Sequence, residues 1–211
     1  MKKYEKYLIT IIITMGSQAL IYFLIKNFIN DYNIINSFID IPLVKPFVYF
    51  YDSWYPFIIL STFLVYKYDR INYKYLIASM ILSTFMAHVT FIIYPSMVIR
   101  PTIDVNNLTD WLLDFTYKTD TPAVNCLPSV HAIYCFVTSY FILKSKEIKN
   151  SKKIIFGLFS FLIVLSTVFV KQHVIEDVIL SLIYTIIVLL IVYFNKRYVN
   201  KLSGHFNNLL F

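Results

Sequence analysis

Two residues four apart, His173 and Asp177 in the stretch VKQHVIED, are the first candidates for chemistry in this 211-residue chain. Residues at this spacing share one face of a helix. A carboxylate beside an imidazole fixes its tautomer and makes the ring a better nucleophile or base. The pair also fits two simpler roles, a helix-terminal contact that satisfies itself or two ligands of a metal ion. The spacing alone leaves all three roles open.

A second histidine lies in the stretch NCLPSVHAIY, where polar residues give way to an apolar run. A helix that begins after Pro128 places Ser129 in its first turn, where backbone N–H groups lack partners and attract anions. His131 then lies close behind and faces whatever is bound. The alternative is a capped helix start with an incidental histidine.

Arg100, in the stretch YPSMVIRP, is the third candidate. A guanidinium binds phosphate through two parallel N–H donors, but beside a membrane it can equally extend to lipid headgroups. Phosphate chemistry is favoured because all three fragments fall at one predicted membrane face.

The elements that must position these residues are membrane-spanning helices. Hydrophobic residues make up 58% of the chain, against roughly 45–50% in soluble domains. Several apolar runs are near the length of about 20 residues that crosses a bilayer. We therefore predict an all-α fold, a six-span transmembrane helix bundle that forms a single integral membrane domain over residues 1–211. The predicted spans are 7–26, 47–66, 74–94, 128–143, 154–170 and 178–194.

The outer segment 95–127 is the longest predicted loop. Within it, Leu108, Trp111, Leu112 and Phe115 recur at helical spacing. This pattern predicts a short interfacial helix in the outer loop, lying on the membrane surface.

Lysine and arginine residues predict the orientation of the spans. With the N-terminus cytoplasmic, 14 of the 19 basic residues fall in inner segments, as the positive-inside rule requires. We therefore expect an integral, multi-pass protein of the cell membrane with both termini cytoplasmic. The net charge of +7 is then a topology signal, so we expect no nucleic-acid partner. Six ionisable residues collect at the outer face: Arg100, His131, Lys171, His173, Glu176 and Asp177.

Together the fragments resemble the type 2 phosphatidic acid phosphatase and vanadium haloperoxidase superfamily. That family carries a Lys, six residues, then Arg-Pro; a Pro-Ser-x-His; and a Ser-Arg, five residues, His, three residues, Asp. The matching residues here are Arg100, Pro101, Pro128, Ser129, His131, Ser166, His173 and Asp177. The resemblance defines a phosphatase-like core at about 47–195 and a basic cytoplasmic tail at 196–211.

Two cations of the family pattern are missing, because the expected lysine is Ile93 and the expected arginine is Thr167. Lys171, two residues before His173, is a candidate replacement for one of them. The stretch KQH, and Val130 where the family often has glycine, resemble the inositol phosphorylceramide synthase-like branch. Members of that branch transfer a phosphorylated headgroup between lipids.

The resemblance implies a membrane lipid phosphatase that hydrolyses a lipid phosphate monoester or diphosphate through a phospho-histidine intermediate, with no metal or other cofactor. His173 is then the nucleophile, Asp177 its support and His131 the proton donor. The phosphate-binding residues are Arg100, Lys171 and Ser129. Headgroup phosphotransfer between lipids is the alternative, as is a catalytically weak lipid-binding relative.

Two further classes compete with this interpretation. A metallohydrolase would use His131, His173 and Asp177 as ligands, and chelators would then abolish its activity. A small transporter would need polar residues at the bilayer midplane. Apart from His88, the ionisable residues of the spans lie at the outer face, which argues against a transporter.

Overall fold

The computed structural model describes residues 3–205, so Lys2 and residues 206–211 of the predicted basic tail lie outside the described residues. The described chain is all-α apart from one minimal strand pair. Its helices are α1 (Lys3–Phe28), α2 (Val48–Asp52), α3 (Trp54–Tyr68), α4 (Arg70–Ile93), α5 (Leu108–Thr119), α6 (Val130–Lys144), α7 (Asn150–Phe169), α8 (Ile175–Phe194) and α9 (Lys196–His205), with a 3₁₀ turn at Lys45–Phe47. Strands β1 (Asn33–Ile34) and β2 (Ser96–Met97) pair in parallel.

Four helices of the described chain, not six, are long and apolar enough to cross a membrane. They are α1, α4, α7 and α8. The prediction of six such spans is wrong at 47–66 and at 128–143, where the helices are shorter. A helix of 15 residues such as α3 or α6 is only about 22 Å long, less than the roughly 30 Å of a hydrocarbon core.

Local sequence explains both short helices. The predicted second span is divided at Ser53 because Pro56, in the first turn of α3, has no N–H to donate to the carbonyl of Asp52. Helix α6 begins after its cap at Ser129 and ends at Ser145, where the backbone becomes extended.

The helices share two common ends. At the histidine end, α1, α4 and α7 finish while α6 and α8 begin, and the hydroxyl of Ser181 donates to the carbonyl of Ser129 over 3.0 Å. At the opposite, basic end, Lys152 Nζ donates to the Tyr68 hydroxyl over 2.9 Å. The basic end carries most of the cationic residues: Lys6, Lys67, Arg70, Lys74, Lys144, Lys146, Lys149, Lys152, Lys153, Lys196, Arg197 and Lys201.

Helix α6 is the centre of the bundle. It packs against α3, α4, α7 and α8, and its residues from Ala132 to Cys135 are fully buried. Hydroxyl contacts fix its register, with Tyr134 bonded to Thr84 and Ser139 to Ser160, each over 2.8 Å. Because α6 is enclosed by other helices, its apolar sequence reflects packing in the protein core.

Helix α5 confirms the predicted helix in the outer loop. The side chain of Asn107 caps its first turn, and Lys45 forms an ion pair of 2.7 Å with Asp110 that lowers the pKa of this carboxyl. Its inner face contributes Leu113 to a buried cluster, while three apolar side chains remain exposed. The exposed residues are Leu108, Trp111 and Phe115.

Replacing Leu113 by Ala should detach α5 from the bundle in part. Leu113 is fully buried, so the cavity left behind should lower the free energy of unfolding by about 2–5 kcal/mol. Denaturation of the purified protein in detergent micelles measures this loss. The control is Leu108→Ala on the exposed face, expected to change stability by less than about 0.5 kcal/mol. Equal effects of the two substitutions would contradict the docking of α5.

Candidate active site

The histidine–carboxylate pair forms as predicted, but through a turn and not along one helix. His173 precedes α8, whose first residue is Ile175, and Asp177 is the third residue of that helix. Asp177 Oδ2 lies 3.0 Å from His173 Nδ1 and accepts the Val174 backbone N–H over 3.1 Å. Both side chains are buried. The carboxylate therefore holds the proton on Nδ1 and leaves Nε2 with a free lone pair.

His131 lies in the first turn of α6 and faces His173, with 6.1 Å between ring centroids. Its ring stacks on Tyr51 at 4.8 Å and lies 4.4 Å from the Trp54 ring. The Trp54 indole N–H also donates to the His131 carbonyl over 3.2 Å. Two aromatic residues thus fix the position and tilt of this imidazole.

Tyr51 and Trp54 were not predicted to belong to the site. Both are buried, and they come from the segment in which α2 gives way to α3. Their spacing of three residues is the one signal that places them on the same helical face.

Ser129 is the predicted cap of α6. Its hydroxyl accepts the Ala132 N–H over 3.4 Å and is fully buried. The hydroxyl therefore serves the helix terminus, and the predicted contact of Ser129 with phosphate stays a prediction.

Arg100 turns inward and not toward lipid headgroups. Its guanidinium donates to the Asp120 carboxylate over 2.8 Å and to the Asp120 carbonyl over 3.0 Å. A further N–H donates to the side-chain oxygen of Gln172. The ring of Tyr117 lies 5.2 Å away, and burial raises the pKa of this phenol to about 12, so it stays protonated at neutral pH. The arginine is therefore in the site and already paired with a carboxylate.

Asp120 has a second cationic partner from the first helix. Its Oδ1 accepts the Tyr22 hydroxyl over 2.8 Å and lies 3.2 Å from Lys26 Nζ. Neither Lys26 nor Asp120 was singled out from the sequence, because a lysine in the last turn of a predicted span is ordinarily a membrane-boundary residue.

Lys171 does not join the other predicted residues. Its Nζ contacts the exposed Asp40 at 3.2 Å. The backbone at Lys171 is left-handed, with φ of 54°, and the side chain is not among those that line the cavity described below. Thr167 donates to the Val164 carbonyl, and Ile93 is exposed. A phosphate-binding role for Lys171 therefore stays a prediction without a supporting contact.

A cavity of about 500 Å³ joins these residues, a volume typical of ligand sites. Its walls come from α1, the α2–α3 segment, α5 and the turn before α8. The lining residues are Gln18, Ala19, Tyr22, Phe23, Tyr51, Asp52, Trp54, Tyr55, Arg100, Leu112, Phe115, Thr116, Thr119, Asp120, Val124, Asn125, Cys126, Val130, His131, Gln172 and His173. Among the described residues, no three His, Cys, Asp or Glu side chains are grouped closely enough to hold a metal ion.

The reactivity of the Cys126 thiol measures how closely the cavity wall around this residue is packed. Both cysteines are free and buried, and burial raises the pKa of the Cys126 thiol. We expect no modification of Cys126 by iodoacetamide at pH 8 in the folded protein and full modification after denaturation, read by mass spectrometry. The control is Thr119→Cys, at an exposed position on the same cavity, which should react while folded. Rapid reaction of Cys126 would contradict the closed wall.

Comparison with known proteins gives one match. The PAP2 superfamily matches residues 72–201, whereas no curated protein and no solved structure matches the chain. The matched segment includes Arg100, the stretch 128–131 and the pair His173 and Asp177. The match does not assign the chain to any branch within the superfamily. Because the match covers more than half of the chain and contains all three fragments of the site, the chain belongs to the PAP2 superfamily.

Proposed function

We propose that the protein is a membrane lipid phosphatase that hydrolyses a phosphate monoester or diphosphate of a lipid through a phospho-histidine intermediate. The observation that carries the proposal is the buried contact of 3.0 Å between His173 Nδ1 and Asp177, with His131 facing the same cavity. Superfamily membership supports a phosphatase-type reaction.

In the first half of the reaction, His173 Nε2 attacks phosphorus. The N–P bond forms while the bond from phosphorus to the lipid oxygen breaks, and His131 gives its proton to that departing oxygen. Burial, with His173 nearby, lowers the pKa of the His131 imidazole to about 3, so His131 takes up this proton only when the negatively charged phosphate is bound beside it. Asp177 keeps the ring oriented and stabilises the positive charge that develops on it. Arg100 stabilises the phosphoryl oxygens, for which it must share or release the Asp120 carboxylate.

In the second half, His131 takes a proton from water, which attacks phosphorus. The N–P bond breaks, inorganic phosphate leaves, and His173 is restored. If the substrate is instead a phosphodiester lipid, its phosphorylated headgroup stays on His173 when the lipid alcohol leaves, and an alcohol in place of water then accepts that headgroup. This is the alternative outcome of the same chemistry.

The membrane setting supports a lipid substrate. Four long apolar helices make the protein a multi-pass membrane protein, and the apolar residues Leu112 and Phe115 of α5 lie at the cavity wall. We infer that the basic end is cytoplasmic, by the positive-inside rule. The histidine end then faces the outer leaflet, and both chain termini are cytoplasmic.

The deciding experiment is turnover by the purified protein of a panel of lipid phosphates, lipid diphosphates and phosphodiester lipids, with and without alcohol acceptors. We expect phosphate release to fall at least about 10³-fold in His173→Ala and about 10²–10⁴-fold in His131→Ala. Asp177→Asn should cost up to about 10⁴-fold, because it favours the wrong tautomer. The control Lys146→Ala, at the basic end, should keep full activity.

Two inhibitors separate this mechanism from a metallohydrolase. Vanadate should inhibit, whereas chelators should leave the rate unchanged. Unchanged turnover in His173→Ala would refute the site assignment. Appearance of the phosphorylated headgroup on the added alcohol, with no phosphate release, would favour transfer. Loss of activity with chelator and its return with zinc would favour the metal mechanism.

Cysteine labelling tests the orientation. Thr102 is exposed in the segment after Arg100, and Lys146 is exposed at the basic end. A membrane-impermeant maleimide should label Thr102→Cys in intact cells, but Lys146→Cys only after permeabilisation. Wild type, whose cysteines are both buried, is the background control. The reversed labelling pattern would place the histidine end in the cytoplasm.

A further inference from the structure

Two buried amide side chains beside the histidines have hydrogen-bonding atoms that no described residue satisfies. Asn125 is 4% exposed and lines the cavity, and neither of its amide atoms has a partner among residues 3–205. Gln172 is 2% exposed, also lines the cavity, and has no such partner for Nε2. The Nε of Arg100 is unpaired in the same way. Three N–H-bearing groups are therefore left over at one cavity.

Unpaired buried donors are rare in folded proteins because each one has lost its water without gaining a partner. At Asn125 the conclusion does not depend on which amide atom is assigned as nitrogen, since both are unpaired. A group of such donors around one cavity indicates a ligand rich in acceptor oxygens. A phosphoryl group presents three strong acceptor oxygens.

The surrounding backbone holds both amides in place. Gln172 directly precedes His173, and the backbone N–H groups of both residues donate to the Thr167 carbonyl, over 3.1 and 2.9 Å. The side-chain oxygen of Gln172 is occupied by Arg100, so its amide nitrogen is directed away from the arginine.

Asn125 has a left-handed backbone with φ of 56°, a conformation that asparagine tolerates better than most residues. The loop around it is tied to the segment after α4. The Val98 N–H donates to the Ala123 carbonyl over 3.1 Å, and the Leu127 N–H donates to the Ser96 hydroxyl over 3.0 Å. An amide fixed in this way can bind a ligand with little loss of conformational entropy.

We propose that Asn125 and Gln172, together with Arg100 Nε, bind the oxygens of the phosphoryl group that His173 attacks. The neutral amide donors would then bind phosphoryl oxygens in place of the lysine and arginine of the family pattern, whose positions are occupied here by Ile93 and Thr167. The inference rests on the proposed function for the identity of the substrate. The anion site itself can be tested without turnover.

The probes are orthovanadate and inorganic phosphate, titrated into the purified full-length protein in detergent. The dissociation constant of each anion and the unfolding temperature of the protein are measured. Asn125→Gly removes the amide while accepting the left-handed backbone. Gln172→Glu keeps the oxygen that binds Arg100 but replaces the free donor with a negative charge. Each variant should bind vanadate about 10- to 100-fold more weakly than wild type.

The unfolding temperature without anion separates binding from packing. Because Asn125→Gly deletes unpaired buried atoms, it should unfold no lower than wild type, yet lose the stabilisation that vanadate gives. The matched control is Gln18→Met, an amide of α1 on the same cavity, which should keep wild-type vanadate affinity.

Vanadate affinity within twofold of wild type in both variants would overturn the proposal, whether or not the unfolding temperature falls. Absence of vanadate and phosphate binding by wild type would overturn it as well. If wild type binds vanadate through these amides but turns over no lipid phosphate, the proposed function fails while the anion site stands.

Discussion

One buried carboxylate, Asp177, connects His173, the proposed nucleophile, to the scaffold. A buried carboxylate must be paired or hydrogen-bonded, and Asp177 is bound through Oδ2, which contacts His173 and accepts the Val174 N–H at the start of α8. The turn from Val170 to Val174 is therefore held from two directions, by this carboxylate and by the Thr167 carbonyl at the end of α7. The position of His173 depends on how α7 and α8 meet.

A second carboxylate, Asp120, organises the part of the cavity around Arg100. It joins Arg100 to Lys26, so the N-terminal helix contributes directly to the site. That helix lies outside the segment 72–201 that matches the superfamily, as do Tyr51 and Trp54. The matched segment contains the residues proposed to react, while the preceding elements complete the cavity and orient His131. Asp120 also competes with any incoming anion for the arginine, so a phosphate must share or displace it.

The cavity combines these polar groups with a largely aromatic and apolar wall. In such a setting a hydrogen bond to a charged oxygen is stronger than in water, and an unpaired donor is more costly. This is why the unused donors of Asn125 and Gln172 are informative, although both residues are uncharged. Phe115, one of the exposed apolar residues of α5, lines the same cavity, which relates the site to the predicted membrane surface.

The sequence by itself determined which residues are candidates for the site and that they lie at one end of the bundle. His173 and Asp177 at a spacing of four, the start of α6 at Pro128 and Ser129, and the helix at 108–119 all follow from local rules for pairing, capping and periodicity. The same rules overestimated the spans, because an apolar run such as 128–143 has the same composition whether lipid or other helices surround it. Only packing shows that α6 is enclosed by α3, α4, α7 and α8.

Tertiary structure alone decided which side chains complete the site. Lys171 is near His173 in sequence, yet its left-handed backbone accompanies a contact with Asp40, outside the cavity. Lys26, Tyr51 and Asn125 are far apart in sequence and come together around the same cavity or its Asp120 carboxylate. Contacts between distant segments depend on how helices pack, and no local pattern encodes that. The sequence therefore determined the chemistry available to this protein, and the packing of its helices decided which groups surround it.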